Sequence, residues 1–571
     1  MKNKILILLL LSGLFTAVSC TDLNLNPLSQ GSSANWYSND SEITMALNDL
    51  YRIDFWPDDK VPYADLDLWS DDIMSRASTN SFINGTLTGQ DGNVNTWWAN
   101  SYKCIARANT ILSNLEKSKD KLPQATLDKY AGEAKFVRAS QYARLITYFG
   151  DVIYSTSVLG LDEAFTKAKT DKKTILKAVY DDYDYAASVL PISYGSATNM
   201  HATKGAALAM KARVALFFGD WAVARDAAKA CMDLNVYELY ADYSTLFLSK
   251  TKNPKELVFG IPRSTLLNVT IGDTKNYLTR LAGGWGGVIA PTWELFCSYL
   301  CTDGLPIDES PLFDPKNPFK NRDPRCTATI VEFGTPWLGF IYQPHPDSLK
   351  VLNLKTGQRV TNNDTRGNAQ FASFNGLCFK KGIDEDWIDD FKAENEMFIM
   401  RYADVLMIYA EAKIELNEID QAMLDASINK VRARAYKVAV TDKAKYPAVT
   451  VSTQANARKL VRIERRMEFA DEARRYEDII RWKLAEKVLN KKIYGMLDPV
   501  DLRTKVIKPG LWFFPQVPQI DDDGNVDLDP MYNAGLIKLV AVRNFPTRQY
   551  LWPIPTKEIL INSNLKQNDG Y

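Results

Sequence analysis

Residues 401–435, RYADVLMIYAEAKIELNEIDQAMLDASINKVRARA, and residues 460–489, LVRIERRMEFADEARRYEDIIRWKLAEKVL, decide the fold class. In the first stretch Ala403, Leu406, Tyr409, Ala410, Ile414 and Leu416 recur at three- and four-residue steps, which sets them on one face of an amphipathic helix. Asn417, Glu418, Ile419 and Asp420 make a tight turn, and Ala422, Met423, Ala426, Ile428 and Val431 carry the stripe of a second helix. Alanine at the facing positions lets two antiparallel helices approach closely, as in tetratricopeptide-type hairpins. The second stretch reads as one charged helix from Leu460 to Leu489, with Ile463, Met467, Phe469, Ala473, Ile479, Ile480 and Trp482 among acids and bases. Glu464 with Glu468, and Arg474 with Asp478, stand at helical spacing. Such charges read as a scaffold network of guanidinium forks on carboxylates in preference to a catalytic centre.

The same hairpin pattern recurs upstream. A helix near residues 40–52 precedes a face of Trp98, Tyr102, Ile105, Ala108 and Leu112, whose partner helix runs over residues 131–151. Tyr148-Phe149-Gly150-Asp151 and Phe217-Phe218-Gly219-Asp220 close helices of one kind, because a helix C-terminus favours a residue that tolerates left-handed dihedrals. Ala222, Ala224, Ala227 and Ala228 line the returning helix. Hairpins fall near residues 97–149, 174–218, 203–233 and 401–434, and they are not contiguous. The expected fold is therefore mainly α, a tetratricopeptide-like scaffold with a large loop-rich insertion containing short strands such as residues 256–261. The expected segments are a leader (1–19), a lipidated cysteine and tether (20–39), an N-terminal helical scaffold (40–235), the insertion (236–394), a C-terminal hairpin with the charged helix (395–490) and an extended C-terminal segment (491–571).

Charge and cysteine usage narrow the function. The 69 basic and 69 acidic residues cancel, so no electrostatic footprint for nucleic acid exists, and no basic amphipathic run marks a membrane-surface helix. At the N-terminus Lys2 and Lys4 precede an apolar run from Ile5 to Leu11 and then LFTAVSC ending at Cys20. A run that falls short of the roughly 20 apolar residues of a membrane span is a signal peptide. The small residues before Cys20 make it resemble a bacterial lipobox, with Ala17 where leucine is usual, which implies lipidation of Cys20. Cys104, Cys231, Cys297, Cys301, Cys326 and Cys378 form no C-x-x-C pair, and His201 and His345 are the only histidines, so a structural zinc site is not expected. Cys297 and Cys301 share a helix face with awkward disulfide geometry, and buried thiols are expected.

The insertion carries Trp285 inside the run Gly283-Gly284-Trp285-Gly286-Gly287, with Trp293, Trp337, Phe340 and Tyr342 beyond it. These rings either fill a second small core or form a stacking surface for sugars, whose C–H faces fit a flat aromatic ring. Loops on a rigid scaffold are where binding groups usually sit. The candidate glycan contacts are Asp65, Asp67, Trp69, Asp91 and Trp98 in the first loop region, and Trp285, Trp337, Tyr342 and Arg366 in the insertion. Asp521, Asp523, Asn525, Asp527 and Asp529 alternate oxygen donors around Gly524, as calcium loops do, although the EF-hand spacing is missing and a solvated acidic turn competes. No other cofactor is expected. A glycosidase needs two carboxylates at a fixed separation, and Asp71-Asp72, Asp58-Asp59 or Asp65 with Asp67 offer them in number only. With no nucleophile elbow, phosphate loop or zinc motif, a binding protein is favoured over an enzyme, and a pure interaction adaptor is the third reading.

Taken together, the lipobox Cys20, the helices ending in FGD, RYADVLMIYAEA at 401–412, ERRMEFADEARRYEDIIRW at 464–482 and YLWPIPTKEILINSNLKQNDGY at 550–571 resemble the SusD/RagB family of Bacteroidetes outer-membrane lipoproteins. The resemblance runs from the leader to the last residue. It implies a nutrient-binding lipoprotein, lipid-anchored to the outer membrane and facing the cell exterior, that sits as a lid on a SusC-like TonB-dependent transporter. It implies delivery of glycans, or in some members peptides, without catalysis.

Overall fold

The computed structural model describes residues 36–56, 64–76, 78–195, 201–272, 274–513 and 515–571. The signal peptide, Cys20, most of the tether and the Asp58-Asp59 pair lie outside the described residues. The scaffold is helical, as the periodicity requires. Helix Gly92–Asn114 packs on Gln124–Phe149, which packs on Lys172–Val189, and Lys204–Phe218 and Trp221–Met232 follow in the same order. The next helix in space is Tyr402–Glu415, which packs directly on Trp221–Met232 and carries Gln454–Glu468 on another side. The repeat that is interrupted in sequence is thus continuous in space.

Local chemistry sets the helix ends. Asp91, Asp171 and Thr203 each accept first-turn N–H groups through the side chain, a contribution of about 1 kcal/mol apiece. Gly219, at φ +80°, ends Lys204–Phe218 in a conformation that a side chain disfavours. Ala206, Ala209, Ala212 and Ala215 on one helix and Ala224, Ala227 and Ala228 on the other are all buried, and the two helices pack on each other. The second helix of the 401–434 hairpin breaks at Ser427 into Gln421–Ala426 and Ile428–Ala435, with the Ser427 hydroxyl turned back onto the carbonyl of Met423 at 2.6 Å.

The insertion leaves and rejoins the scaffold at one place. Strand Leu257–Ile261 pairs antiparallel with Met397–Arg401, so its two ends are stapled by a two-stranded ribbon. There Trp293, Phe296, Tyr299, Phe319, Trp337, Tyr342, Phe379 and Trp387 of the insertion form a second core with Met467 of the charged helix and Phe513 of the C-terminal segment. All six described cysteines are free and buried. Among the described residues no helix is long and apolar enough to cross a membrane.

The expected single helix 460–489 is three helices, Gln454–Glu468, Arg475–Arg481 and Ala485–Leu489. Asp471 and Ala473 take positive φ in the first break, and Asp67 accepts the freed N–H of Ala473 at 2.8 Å. The break turns Glu472 onto Arg401. Arg401 reaches Glu472 at 2.6 Å and both Glu256 and Glu468 at 2.7 Å. Arg325, from the insertion, bridges Asp323, Glu464 and Glu468, while Arg432 takes Glu464 and Arg434 takes Glu256 and Glu468. Arg474 donates to the carbonyl of Ile399 and stands near Asp404 and Glu477, while Asp478 accepts from Arg465 and Arg481. The charges are a buried lattice that ties ribbon, insertion and scaffold together.

Burial pushes the Glu468 carboxyl up, but Arg434, Arg401 and Arg325 overrule it and bring the group down to about 2. A carboxylate depressed by folding stabilises the native state above its unfolded value and loses that stabilisation as pH falls through the folded value. The stability gap between the wild type and Glu468→Gln is therefore expected to be roughly 3 kcal/mol at pH 7. It should narrow as pH drops from about 4.5 toward 2, which urea titrations across that window would read; a gap constant with pH would refute the assignment.

Candidate ligand-binding site

Most of the sequence-derived contacts are structural. Trp69 is buried, stacks on Phe82 with centroids 3.9 Å apart, and meets Trp97, Tyr476 and Trp552 edge-on or tilted. Trp98 is buried against Tyr102 and Phe149. Asp67 is buried at the helix break, and Asp91 caps its helix while accepting the Ser81 hydroxyl at 2.6 Å. Asp65 lies on the short helix Ala64–Leu68. Trp337 and Tyr342 belong to the second core, and the Tyr342 hydroxyl donates to the carbonyl of Gly376 at 2.8 Å. Arg366 pairs with Asp498 at 2.6 Å and lies over the Phe374 ring. The Asp71 and Asp72 carboxylates, one of the pairs weighed for catalysis, are buried against Arg466 and Arg475 at 2.6–2.9 Å. For the rings the second-core and helix-packing alternatives hold, because an aromatic ring buries about 150–250 Å² and draws a loop inward wherever a core can receive it, while Asp67, Asp91 and Arg366 are taken up by a backbone N–H group, a helix cap and an ion pair.

The acidic loop does not fit a divalent cation. Asp521 accepts the N–H groups of Asp523 and Asn525, both at 2.9 Å, which closes a tight turn between short strands Gln519–Ile520 and Val526–Asp527. Lys487 lies 2.9 Å from Asp521 and 2.7 Å from Asp523, Arg462 lies 2.7 Å from Asp523, and Lys459 lies 2.7 Å from Asp522. Asp527 accepts the Asp529 N–H. Side-chain cations already neutralise Asp521, Asp522 and Asp523, and among the described residues no cluster of histidine, cysteine and acid groups is set to hold a metal.

Trp285 is the exception among the rings, 55 % exposed on the glycine run. Strand Ile73–Ser75 pairs antiparallel with Ile289–Pro291, and the next residue, Arg76, donates its N–H to Val288 at 2.7 Å. Trp285 is held by its N–H on the carbonyl of Lys275 at 2.8 Å. Gly286 has φ +81°, and a Cβ there would stand 2.5 Å from the Phe371 carbonyl, so only glycine allows this close turn. The Arg76 guanidinium donates to the carbonyls of Trp285 and Phe371 and lies 5.3 Å from the Phe371 ring, which is itself 48 % exposed. Lys275 stands 4.0 Å from the Phe391 ring and 5.7 Å from that of Trp285. Arg280 runs its aliphatic stem along Gly286. Beneath it the buried Asp364, its carboxyl pushed up to about 6 by burial, accepts the N–H groups of Arg280 at 2.7 Å and Leu281 at 3.2 Å.

The result is a surface of two exposed rings linked by guanidinium and ammonium donors, suited to stacking and hydrogen bonding. Sequence reasoning found Trp285 from its glycines and missed Arg76, Lys275, Arg280 and Phe371. Arg76 reaches the site only through the pairing of residues 73–75 with 289–291, which leaves no local signal.

A helical-repeat scaffold that presents exposed rings on an inserted, loop-rich body defines a ligand-binding architecture. Residues 263–571 match the sequence model of the SusD family, and residues 46–216 match a model described as starch-binding associating with outer membrane. The chain belongs to the SusD family. A SusD-like carbohydrate-binding protein of known structure from Bacteroides fragilis is 30% identical, with a TM-score of 0.75, over 93% of this chain and 100% of that one. SusD-like protein P2 of Formosa agariphila is 25% identical over 100% of both chains, and its P25 is 24% identical over 85% of this chain and 91% of that one.

Proposed function

We propose that the protein is a glycan-binding lipoprotein of the cell surface, held to the outer membrane by a lipidated Cys20, that captures oligosaccharide without cleaving it and passes it to a SusC-like TonB-dependent transporter. The observation that carries the binding role is the exposed Trp285 ring, fixed by a glycine turn and flanked by donors, in a chain whose other tryptophans named as contacts are buried. The carbohydrate-binding relative from Bacteroides fragilis and the outer-membrane description of the matched family model support the ligand class and the location. Transport partnership and lipid anchoring rest on the family and the leader sequence.

Trp285→Ala is expected to weaken oligosaccharide binding about tenfold, the loss of one stacking face worth roughly 1–1.5 kcal/mol, with the thermal midpoint unchanged because the ring packs little. Calorimetry of wild type and variant against a polysaccharide and peptide panel tests it. Identical affinities for every glycan that binds would remove Trp285 from the site, and cleavage of a bound glycan would overturn the non-catalytic role.

A further inference from the structure

We infer that the Trp285 surface selects acidic glycans, chains bearing uronate carboxylates or sulfate esters, over neutral ones. This rests on the reading of the surface as a glycan site. Among the described residues the charged groups on the face of this surface, Arg76, Lys275 and Arg280, are cations that form no ion pair, and the one carboxylate beneath them, Asp364, feels the Arg280 charge without pairing with it. That differs from the buried lattice at the centre of the molecule. Charges balance at 69 against 69 over the whole chain, and Arg325, Arg401, Arg434, Arg466, Arg475 and Arg481 each hold at least one carboxylate.

The hydrogen bonds of Arg76 go to carbonyl oxygens, which orient the guanidinium without cancelling its charge, and its Nε is buried with no partner. Arg280 and the Phe371 carbonyl that Arg76 engages meet on the same glycine, Gly286, so two like charges share one turn. Burial and the neighbouring Arg280 both push the Arg76 guanidinium down from its ordinary value. An anion between them would relieve that repulsion. Asp364 lies beneath the segment with an oxygen on the Arg280 and Leu281 N–H groups.

The chemistry of the donors points the same way. A neutral sugar hydroxyl both donates and accepts, and sites for neutral sugars supply carboxylates or amides as acceptors. Arginine and lysine side chains only donate. Carboxylate and sulfate oxygens only accept, and a guanidinium fork meets them with two parallel bonds. The exposed rings of Trp285 and Phe371 offer a sugar face what an acidic peptide lacks.

The test compares the wild type with chain-length-matched neutral, uronate-bearing and sulfated oligosaccharides by calorimetry, at low and high salt. The acidic ligands are expected to bind at least tenfold more tightly at low salt, with the preference shrinking as screening rises. Arg280→Gln, which keeps the packed stem, and Arg76→Ala should each remove most of that preference, with thermal unfolding as the check on folding. Equal affinity for neutral and acidic chains would overturn this inference and leave the glycan site standing. Acidic binding untouched by both variants places it elsewhere and overturns the inference as well. Binding of acidic peptides with no glycan bound would sink the glycan reading itself.

Discussion

Replacing Arg401 by alanine is expected to destabilise the protein by about 3–5 kcal/mol, the cost of breaking a buried charge network from one side. Arg401 is 2 % exposed, at the end of the ribbon that closes the insertion and at the entry to helix Tyr402–Glu415. Its fork contacts Glu256, Glu468 and Glu472 and the carbonyl of Glu468. Alanine leaves three buried carboxylates with only Arg325, Arg434 and Lys381 to balance them. Those three are already engaged, so rearrangement cannot restore the lost bonds. Lysine in its place brings back the charge without the fork and should recover a minor part of the loss. The exposed Lys177–Asp181 pair at helical spacing is the contrast, since such pairs are worth a few tenths of a kcal/mol. Urea midpoints of Arg401→Ala and Lys177→Ala would separate the two regimes; a loss below about 1 kcal/mol for the first would mean that the lattice is redundant.

The helical hairpins were legible because alanine and large apolar residues at three- and four-residue steps admit few other structures. The role of the charged helix was legible in kind, since closely spaced arginine and glutamate in an apolar helix must find partners. Its break was not. Phe469-Ala-Asp-Glu-Ala-Arg474 has ordinary helix formers throughout, and what breaks it lies far away: Asp67 takes the Ala473 N–H and Arg401 takes Glu472. The binding surface was half legible for a related reason. A tryptophan among glycines, prolines and polar residues reads as exposed whether it is Trp69, Trp337 or Trp285, yet burying such a ring is worth several kcal/mol at about 25 cal/mol per Å². Trp69 and Trp337 found cores within reach, and Trp285 is pinned outward by a turn that only glycine can make.

Trp552→Ala is expected to cost about 3–5 kcal/mol as well, and to loosen the C-terminal segment before the rest of the chain unfolds. Trp552 is 1 % exposed, in a cage of Trp69, Phe82, Trp97, Tyr148 and Phe149 with centroids 4.4–5.5 Å away. Its N–H donates to the carbonyl of Tyr148 at 2.7 Å and its indole N–H to the Tyr476 hydroxyl at 3.0 Å. Beyond it Asn568 donates to the carbonyls of Phe149 and Trp552, and Gln567 brackets Ile554. The segment therefore covers the C-terminal end of helix Gln124–Phe149. Removing the indole opens a cavity that Trp69, stacked on Phe82, can fill only by giving up its own packing. Limited proteolysis should then cut first within residues 546–571 in the variant, while the wild type resists, and the urea midpoint should fall. Unchanged protease resistance together with an unchanged midpoint would show that the segment is held by its hydrogen bonds, those of Asn562, Asn564, Gln567 and Asn568 among them, without the indole.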